Sequence, residues 1–169
     1  RGLEAILAAH PRAQGARRLF GGSYDLLEVL GVGASAVVFR ASDRRLSREV
    51  AVKVLRDADP SEDDAIRFRR APKVFSALHH PNIPRILHFG THDEQTFAVT
   101  ELCPGSPATS FTRPDNHLRP DEVLTIGLQL AGALAAVHAA GVVYRDLHPG
   151  NVLIDRGDPT KAWIFDFDQ

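Results

Sequence analysis

The sequence predicts an α+β fold in which a small strand-rich region precedes a region built around one long helix. Short runs rich in Val and other apolar residues, separated by charged or glycine-containing turns, occupy much of residues 24–102 and are typical of strands. A segment rich in Pro, Ser, Thr and Gly follows at 103–119 and indicates a connector. Residues 123–144 then form a 22-residue run without Asp, Glu, Lys or Arg, which predicts a helix.

The composition narrows the class of protein. Of the 169 residues, 44% are hydrophobic and 24% are charged, which is ordinary for a soluble globular protein. The net charge of -1 shows no basic excess, so we expect no nucleic-acid partner. The single cysteine, Cys103, excludes an internal disulfide and favours a reducing, cytoplasmic compartment. Because the chain begins at Arg1 and contains no Met, we interpret it as part of a longer protein.

The uncharged run has the length to span a bilayer. It carries Gln129, His138 and three glycines, however, and charged residues follow it at once. We therefore predict a buried helix followed by a short strand, and no membrane contact within this segment. The first ten residues lack the apolar core of a signal peptide.

The strand signals predict a five-stranded antiparallel sheet, with strands at 24–30, 37–41, 50–55, 83–90 and 96–102. Ser61 is a good helix N-cap, but Pro72 would kink or divide the helix that follows it. We expect three parts in the chain: an approach segment or linker at 1–23, a strand-rich lobe with its hinge at 24–103, and a partial helical lobe at 104–169.

The long helix has clear start and stop signals. Pro120 is a favoured first helical residue and acidic residues follow it, while Gly141 is a typical C-cap. One side of this helix is expected to be its apolar face, at Leu124, Leu128, Ala131, Ala135 and His138.

Two features of the strand-rich region point to phosphate chemistry. Gly31 and Gly33 follow a predicted strand, and glycines let backbone N–H groups approach phosphates, although two glycines in a turn are more often only a turn. The strand Val50–Lys53 ends in a lysine, and alternation places Ala51 and Lys53 on one face. A lysine there could reach a phosphate, although most strand lysines are simply solvated.

Three polar residues late in the chain give the strongest signal. Asp146 and Asn151 lie five residues apart in one loop, and Asp166 follows a short predicted hairpin. An Asp for an acceptor hydroxyl, with an Asn and an Asp for magnesium, is the set that phosphoryl transfer needs. Asp and Asn in loops are usually turn formers, but the joint spacing argues against that interpretation here.

Taken in order, these residues resemble the protein-kinase signature set. The matching motifs are the glycine loop at Gly31, Gly33 and Val38 (with Ala36 in place of its third glycine), the lysine strand Val50–Lys53, the turn His80–Ile83 of bacterial serine/threonine kinases, the gatekeeper strand and hinge Phe97–Cys103, and the catalytic loop Tyr144–Asn151 followed by Asp166.

The resemblance implies a protein-kinase-like fold, with a small five-stranded antiparallel N-lobe containing one helix and an incomplete helical C-lobe. It implies a serine/threonine protein kinase that uses ATP and Mg²⁺ and acts on a protein substrate. Asp146 would be the catalytic base, Lys53 would orient the α- and β-phosphates, and Asn151 would act in catalysis and, with Asp166, bind magnesium. Thr100 would be the gatekeeper. ATP would contact Leu30, Gly31, Gly33, Val38, Ala51, Lys53, Glu101 and Cys103.

One departure from the family pattern concerns Lys53. Ala71, followed by Pro72, stands where the family has the glutamate of helix C, so Lys53 lacks its usual ion-pair partner. This favours a second hypothesis, in which the chain is a pseudokinase that binds nucleotide without turning it over.

Other departures lie in the second half of the chain. Tyr144 replaces the usual His, His148 replaces a Lys near the transferred phosphate, and Asp168 stands where the family has Gly. The sequence 146–151 followed by Asp166 also resembles the small-molecule kinases of the aminoglycoside-phosphotransferase and choline-kinase type, which is a third hypothesis. The chain ends at Gln169, before the activation segment, so we expect the remaining C-lobe to be missing here.

Overall fold

We describe a computed structural model of the chain, which covers residues 18–20, 22–33, 36–55, 78–92, 95–157 and 160–166. The chain divides into two compact units. The first comprises Arg1–Pro72 with Ile86–Leu102, and the second comprises Lys73–Arg85 with Cys103–Gln169. The helix expected after Ser61, with Ala71 and Pro72, lies outside the described residues, and so does Asp168.

The described part of the first unit is an antiparallel sheet of six strands in the order β1-β2-β3-β4-β6-β5. The strands are β1 (Arg18–Phe20), β2 (Tyr24–Val32), β3 (Ala36–Asp43), β4 (Arg48–Leu55), β5 (Ile86–His92) and β6 (Gln95–Glu101). The five predicted strands are confirmed. The sixth, β1, lies within the segment expected to be a linker, and its Phe20 pairs with Tyr24 of β2.

Strand β4 shows how alternation builds this sheet. Val50 and Val52 are fully buried, whereas Ala51 and Lys53 are half-buried on the opposite face, as the period of two requires. The buried face carries the core of the unit, formed by Tyr24, Leu26, Val37, Phe39, Ala41, Val50, Val52, Val54, Phe97 and Val99.

The second unit contains one described α-helix and short strands. Its elements are β7 (Ser106–Pro107), a 3-10 turn (Ala108–Phe111), β8 (Thr112–Arg113), β9 (Asn116–His117), α1 (Pro120–Ala139), a 3-10 turn (Pro149–Asn151), β10 (Val152–Asp155) and β11 (Lys161–Ile164). Strands β11, β10 and β7 form one small sheet in that order, and β8 pairs with β9.

Helix α1 begins and ends where the sequence predicted. The Glu122 carboxylate accepts the Arg119 N–H at 2.7 Å, which caps the first turn, and Gly141 follows the last turn with φ of 79°. The Val142 N–H bonds back to the Val137 carbonyl at 3.2 Å. That bond ties residue 142 to the helix end, and the strand expected there is absent, since 142–147 are irregular.

The side of α1 that the sequence marked as apolar is exposed in the described structure. Leu124 and Leu128 are 70% and 77% exposed, and the buried residues are Glu122, Ile126, Ala133 and Val137. The helix is apolar on most of its circumference, so its periodicity does not select a face, and the polar contacts of Glu122 and Gln129 select it instead. Pro120–Ala139 is long and apolar enough to cross a membrane, but one such helix is only weak evidence of a membrane-spanning segment.

Glu122 anchors the start of α1 to the turn after β10. Its side chain is 6% exposed and receives two hydrogen bonds of 3.0 Å from the Arg156 guanidinium. The Arg119 backbone N–H, and then Arg156, lower the pKa of Glu122 below its ordinary value. The Arg156 guanidinium also lies over the Phe111 ring at 5.9 Å. These contacts stabilise the carboxylate form of Glu122.

Strand β11 has no strand partner on its outer edge among the described residues, and two side chains take that place. Gln129 accepts the Ala162 N–H at 2.9 Å and donates to the Thr160 carbonyl at 2.9 Å. Asn82 donates to the Ala162 carbonyl and to Gln129, both at 2.7 Å, and its own carbonyl accepts the Ile164 N–H. These bonds place residues 78–85 with the second unit, although the sequence analysis had put them in the strand-rich lobe.

Candidate active site

The glycine turn joins β2 to β3. The Gly33 N–H donates to the Ala36 carbonyl at 2.8 Å, and Gly31 pairs with Val38 across the two strands. A Cβ added at Gly31 would meet nothing within 4 Å, and one at Gly33 would meet only the Ala36 carbonyl at 3.5 Å. Packing of the described residues therefore does not require glycine at either position.

The residues around Lys53 lie on one face of the first sheet. Lys53 pairs with Val38 on β3 and with Ala98 on β6, and Ala51 pairs with Thr100. Residues directly opposite on paired strands point to the same face. The expected nucleotide contacts Val38, Ala51 and Lys53, together with the expected gatekeeper Thr100, are therefore neighbours on the half-buried face.

The expected hinge lies where the two units meet in sequence. Glu101 ends β6, and its backbone carbonyl accepts a 3.2 Å bond from the Thr100 hydroxyl. Cys103 is the first residue of the longer segment of the second unit. Leu30 lies near the end of β2 and is 48% exposed.

Asp146 and Asn151 are hydrogen-bonded to each other. The Asn151 side chain is buried, and its Nδ2 donates to the Asp146 carbonyl at 3.0 Å and to Asp146 Oδ2 at 3.1 Å. The Asn151 N–H donates to the His148 carbonyl at 2.9 Å and closes the turn between them. Because Nδ2 is used in both side-chain bonds, the Asn151 Oδ1 is left as the acceptor atom of that amide.

Asp166 is brought beside this loop by the residue before it. The Phe165 N–H donates to the Asn151 carbonyl at 3.1 Å, and the Phe165 carbonyl accepts a 2.7 Å bond from the Tyr144 hydroxyl. Asp166 itself has φ of 68°, in the left-handed region that few residues other than glycine adopt. A non-glycine residue in this conformation has a strained backbone, and such residues are concentrated at functional sites.

His148 also contacts the expected base. Its Nδ1 accepts the Gly150 N–H at 3.0 Å, and its Nε2 lies 3.5 Å from Asp146 Oδ2. The sequence analysis identified His148 as a departure from the family pattern but did not predict either contact.

Within the second unit the structure therefore brings Asp146, Asn151 and Asp166 together, while Lys53 and the glycine turn lie in the first unit. Among the residues that the structure describes, no group of three or more His, Cys, Asp or Glu side chains could hold a metal ion. A magnesium site does not need one, because Mg²⁺ is usually bound by one or two carboxylates together with substrate phosphates and water.

The sequence did not predict the hydrogen bonds by which Tyr144, Asn82 and Gln129 hold backbone groups of the second unit. Tyr144 was recognised only as a substitution, yet its hydroxyl holds Phe165 next to Asp166. Gln129 is a lone amide in an uncharged helix, and that isolation was the available signal that its partners are buried backbone groups.

Comparison with known proteins gives a consistent result. The family model of the protein kinase domain matches residues 24–169. The kinase RqkA of Deinococcus radiodurans, named a DNA damage-responsive serine/threonine-protein kinase, is 41% identical over 152 residues, which are 88% of this chain and 22% of that protein. The serine/threonine-protein kinase PrkC of Bacillus subtilis is 38% identical over 145 residues, which are 85% of this chain and 22% of that protein.

Solved structures agree. The PknI kinase domain of Mycobacterium tuberculosis has a TM-score of 0.76 at 28% identity, covering 92% of this chain and 63% of that one. Rad53 in complex with AMP-PNP has a TM-score of 0.75 at 30% identity, covering 86% of this chain and 38% of that one. The chain thus spans about a fifth of the length of the curated relatives named above. With both lobes' motifs in order and this likeness along most of its length, the chain belongs to the protein kinase family.

Proposed function

We propose that this chain is the nucleotide-binding and catalytic-loop portion of a serine/threonine protein kinase, which transfers the γ-phosphoryl group of ATP to a protein hydroxyl. Residues 24–103 would form the N-lobe and hinge, and 104–169 part of the C-lobe. The observation that carries the proposal is the contact of Asn151 with both Asp146 and Phe165. Asn151 thereby connects the candidate base, through its side-chain amide, to the residue before the candidate metal ligand, through its backbone carbonyl.

The donor set fits magnesium. The Asn151 Oδ1 and the Asp166 carboxylate are hard oxygen ligands of the kind Mg²⁺ prefers, and the two residues are linked through Phe165. They would hold Mg²⁺, which when bound would neutralise charge on the phosphates during transfer.

The chemistry follows from these positions. The acceptor hydroxyl oxygen would form a bond to the γ-phosphorus while the bond from that phosphorus to the bridging oxygen of ADP breaks. ADP would leave with that oxygen, and the hydroxyl proton would pass to the Asp146 carboxylate. Asp146 is suited to this role because it is only half-buried, with its side chain 43% exposed, and so a substrate hydroxyl can approach it.

The first unit supports nucleotide binding. The glycine turn has room for a ligand against its backbone, and the face with Val38, Ala51 and Thr100 is lined by small or branched side chains. Lys53 lies on that same face and would contact the α- and β-phosphates. The resemblance to Rad53, whose solved structure holds AMP-PNP, supports ATP as the ligand.

The test is the Asp146→Asn variant of the full-length protein. We expect phosphoryl transfer to fall by about 100-fold or more, as removal of a general base predicts, while ATP affinity stays close to wild type. Asp155→Asn is the matched control, because Asp155 lies in the same unit and only caps the following turn through a bond from the Gly157 N–H. Transfer by the Asp146→Asn variant at the wild-type rate would contradict the proposal.

The same preparation separates the other two hypotheses. Binding of ATP and Mg²⁺ without any turnover would favour a pseudokinase, consistent with Ala71 at the helix-C glutamate position. Turnover with amino-sugar or amino-alcohol acceptors but no protein phosphorylation would favour a small-molecule kinase.

A further inference from the structure

The His148 ring is held against Gly150 by two independent features. Its Nδ1 accepts the Gly150 N–H at 3.0 Å, which caps the 3-10 turn Pro149–Asn151. Gly150 also has no side chain to keep the ring away. A Cβ at position 150 would lie 2.6 Å from His148 Cε1 and 2.9 Å from Nδ1, closer than real contacts allow. The ring position therefore depends on glycine at 150.

The first of these contacts decides where the imidazole carries its proton. A nitrogen that accepts a backbone N–H bond cannot carry a proton itself, so the proton of the neutral ring is on Nε2. Nε2 is the atom that lies 3.5 Å from Asp146 Oδ2. At 3.5 Å the contact is too long for an ordinary hydrogen bond, and catalytic contacts often shorten only when substrate binds.

Both polar contacts of the Asp146 carboxylate go to the same oxygen. Oδ2 accepts from Asn151 Nδ2 at 3.1 Å and faces His148 Nε2. No bond to Oδ1 occurs among the residues that the structure describes. Oδ2 is thus the carboxylate oxygen that the loop contacts, and Oδ1 is the oxygen that these contacts leave for a substrate.

We propose that His148 is a positioning residue for Asp146. The neutral His148 ring donates a hydrogen bond to Asp146 Oδ2, so that Asp146 Oδ1 receives the proton of the acceptor hydroxyl. The inference rests on the proposed function. It differs from the role of a lysine at this place, which would bring a positive charge to the phosphates. Lysine also has no acceptor atom, so it could not accept the Gly150 N–H.

A double-mutant cycle in the full-length protein tests this. His148→Ala removes the ring, and Gly150→Ala keeps the ring but pushes it away from Asp146. We expect each change to lower kcat by about 10- to 100-fold, as misplacement of a catalytic group does, with KM for ATP changed by less than about twofold. Because both act through one ring, the double variant should be no slower than the slower single variant.

Two further variants separate positioning from charge and from folding. His148→Gln keeps a neutral N–H donor near the position of Nε2 and should recover part of kcat relative to His148→Ala. His148→Lys should not recover it. The ¹⁵N spectrum of the wild-type imidazole, which should show Nε2 protonated and Nδ1 unprotonated, reports the ring without any substitution.

Opposite results would overturn the proposal. These are additive effects of His148→Ala and Gly150→Ala, wild-type kcat in His148→Lys, or a proton on Nδ1 in the ¹⁵N spectrum. The proposed function has its own test in Asp146→Asn. An inactive Asp146→Asn variant beside fully active His148→Ala and Gly150→Ala variants would overturn the role of His148 alone, whereas an active Asp146→Asn variant would overturn the proposed function.

Discussion

Asn82 should contribute more to stability than its place in a turn suggests. Its side chain is 8% exposed, and Nδ2 makes two bonds of 2.7 Å, one to the carbonyl of fully buried Ala162 and one to Gln129 Oε1. Asn82→Ala removes both. Gln129 Oε1 keeps the Ala162 N–H as a donor, but the described residues offer the Ala162 carbonyl no other hydrogen-bond donor.

The expected magnitude follows from these two bonds. A buried carbonyl left without a donor costs about 1–3 kcal/mol, and loss of an ordinary hydrogen bond whose acceptor stays paired costs about 0.5–1.5 kcal/mol. The sum is roughly 1.5–4.5 kcal/mol, a large share of the 5–15 kcal/mol that typically separates folded from unfolded states. Asn82→Asp keeps the volume but replaces the donor with an acceptor, so it should destabilise at least as much.

Urea unfolding of the full-length protein, followed by amide hydrogen exchange at Trp163, measures this, because Trp163 lies on β11 next to Ala162. The matched control is Asn116→Ala, which also removes two side-chain bonds, one to the Ser110 carbonyl and one from Arg156, but at a half-buried residue. If Asn82→Ala changes the unfolding free energy by less than about 0.5 kcal/mol, or by no more than the control does, the Asn82 side chain does not stabilise the outer edge of β11.

Two other predictions concern the second unit. The Arg119 N–H and Arg156 lower the pKa of Glu122, so its stabilising effect is complete above the unfolded-state pKa and is lost as pH falls through the folded-state pKa. The melting temperature of the wild type should therefore drop more steeply than that of Glu122→Gln between about pH 5 and pH 3, and parallel curves would argue against the pairing. Gly105 has φ of 104°, and a Cβ there would overlap the Ile154 carbonyl. Gly105→Ala should cost about 1–3 kcal/mol or more in urea unfolding, and a variant as stable as wild type would show that β7 can shift away from β10.

Several parts of the fold could be predicted because their causes are local. The period of two places Val50 and Val52 on one face of β4 and Lys53 on the other, whatever the rest of the chain does. Pro120 and Gly141 define the ends of α1 for different reasons: proline has a fixed φ and no N–H to donate, whereas glycine adopts the positive φ that follows a helix C-terminus. Asp146, Asn151 and Asp166 could be selected as a set because their spacing and residue types are specific in combination.

The sequence by itself therefore determined the places of five of the strands along the chain, the ends of the long helix and the identity of the polar residues in the candidate catalytic loop. Only the tertiary structure decided which face of α1 is buried, since an almost uniformly apolar helix is oriented by its few polar contacts, such as that of Gln129 with Asn82, 47 positions away. It also decided the hydrogen-bond partners of Tyr144 and His148. The physical reason is that a hydrogen bond depends on the positions of two atoms, and residues distant in sequence acquire those positions only when the chain has folded.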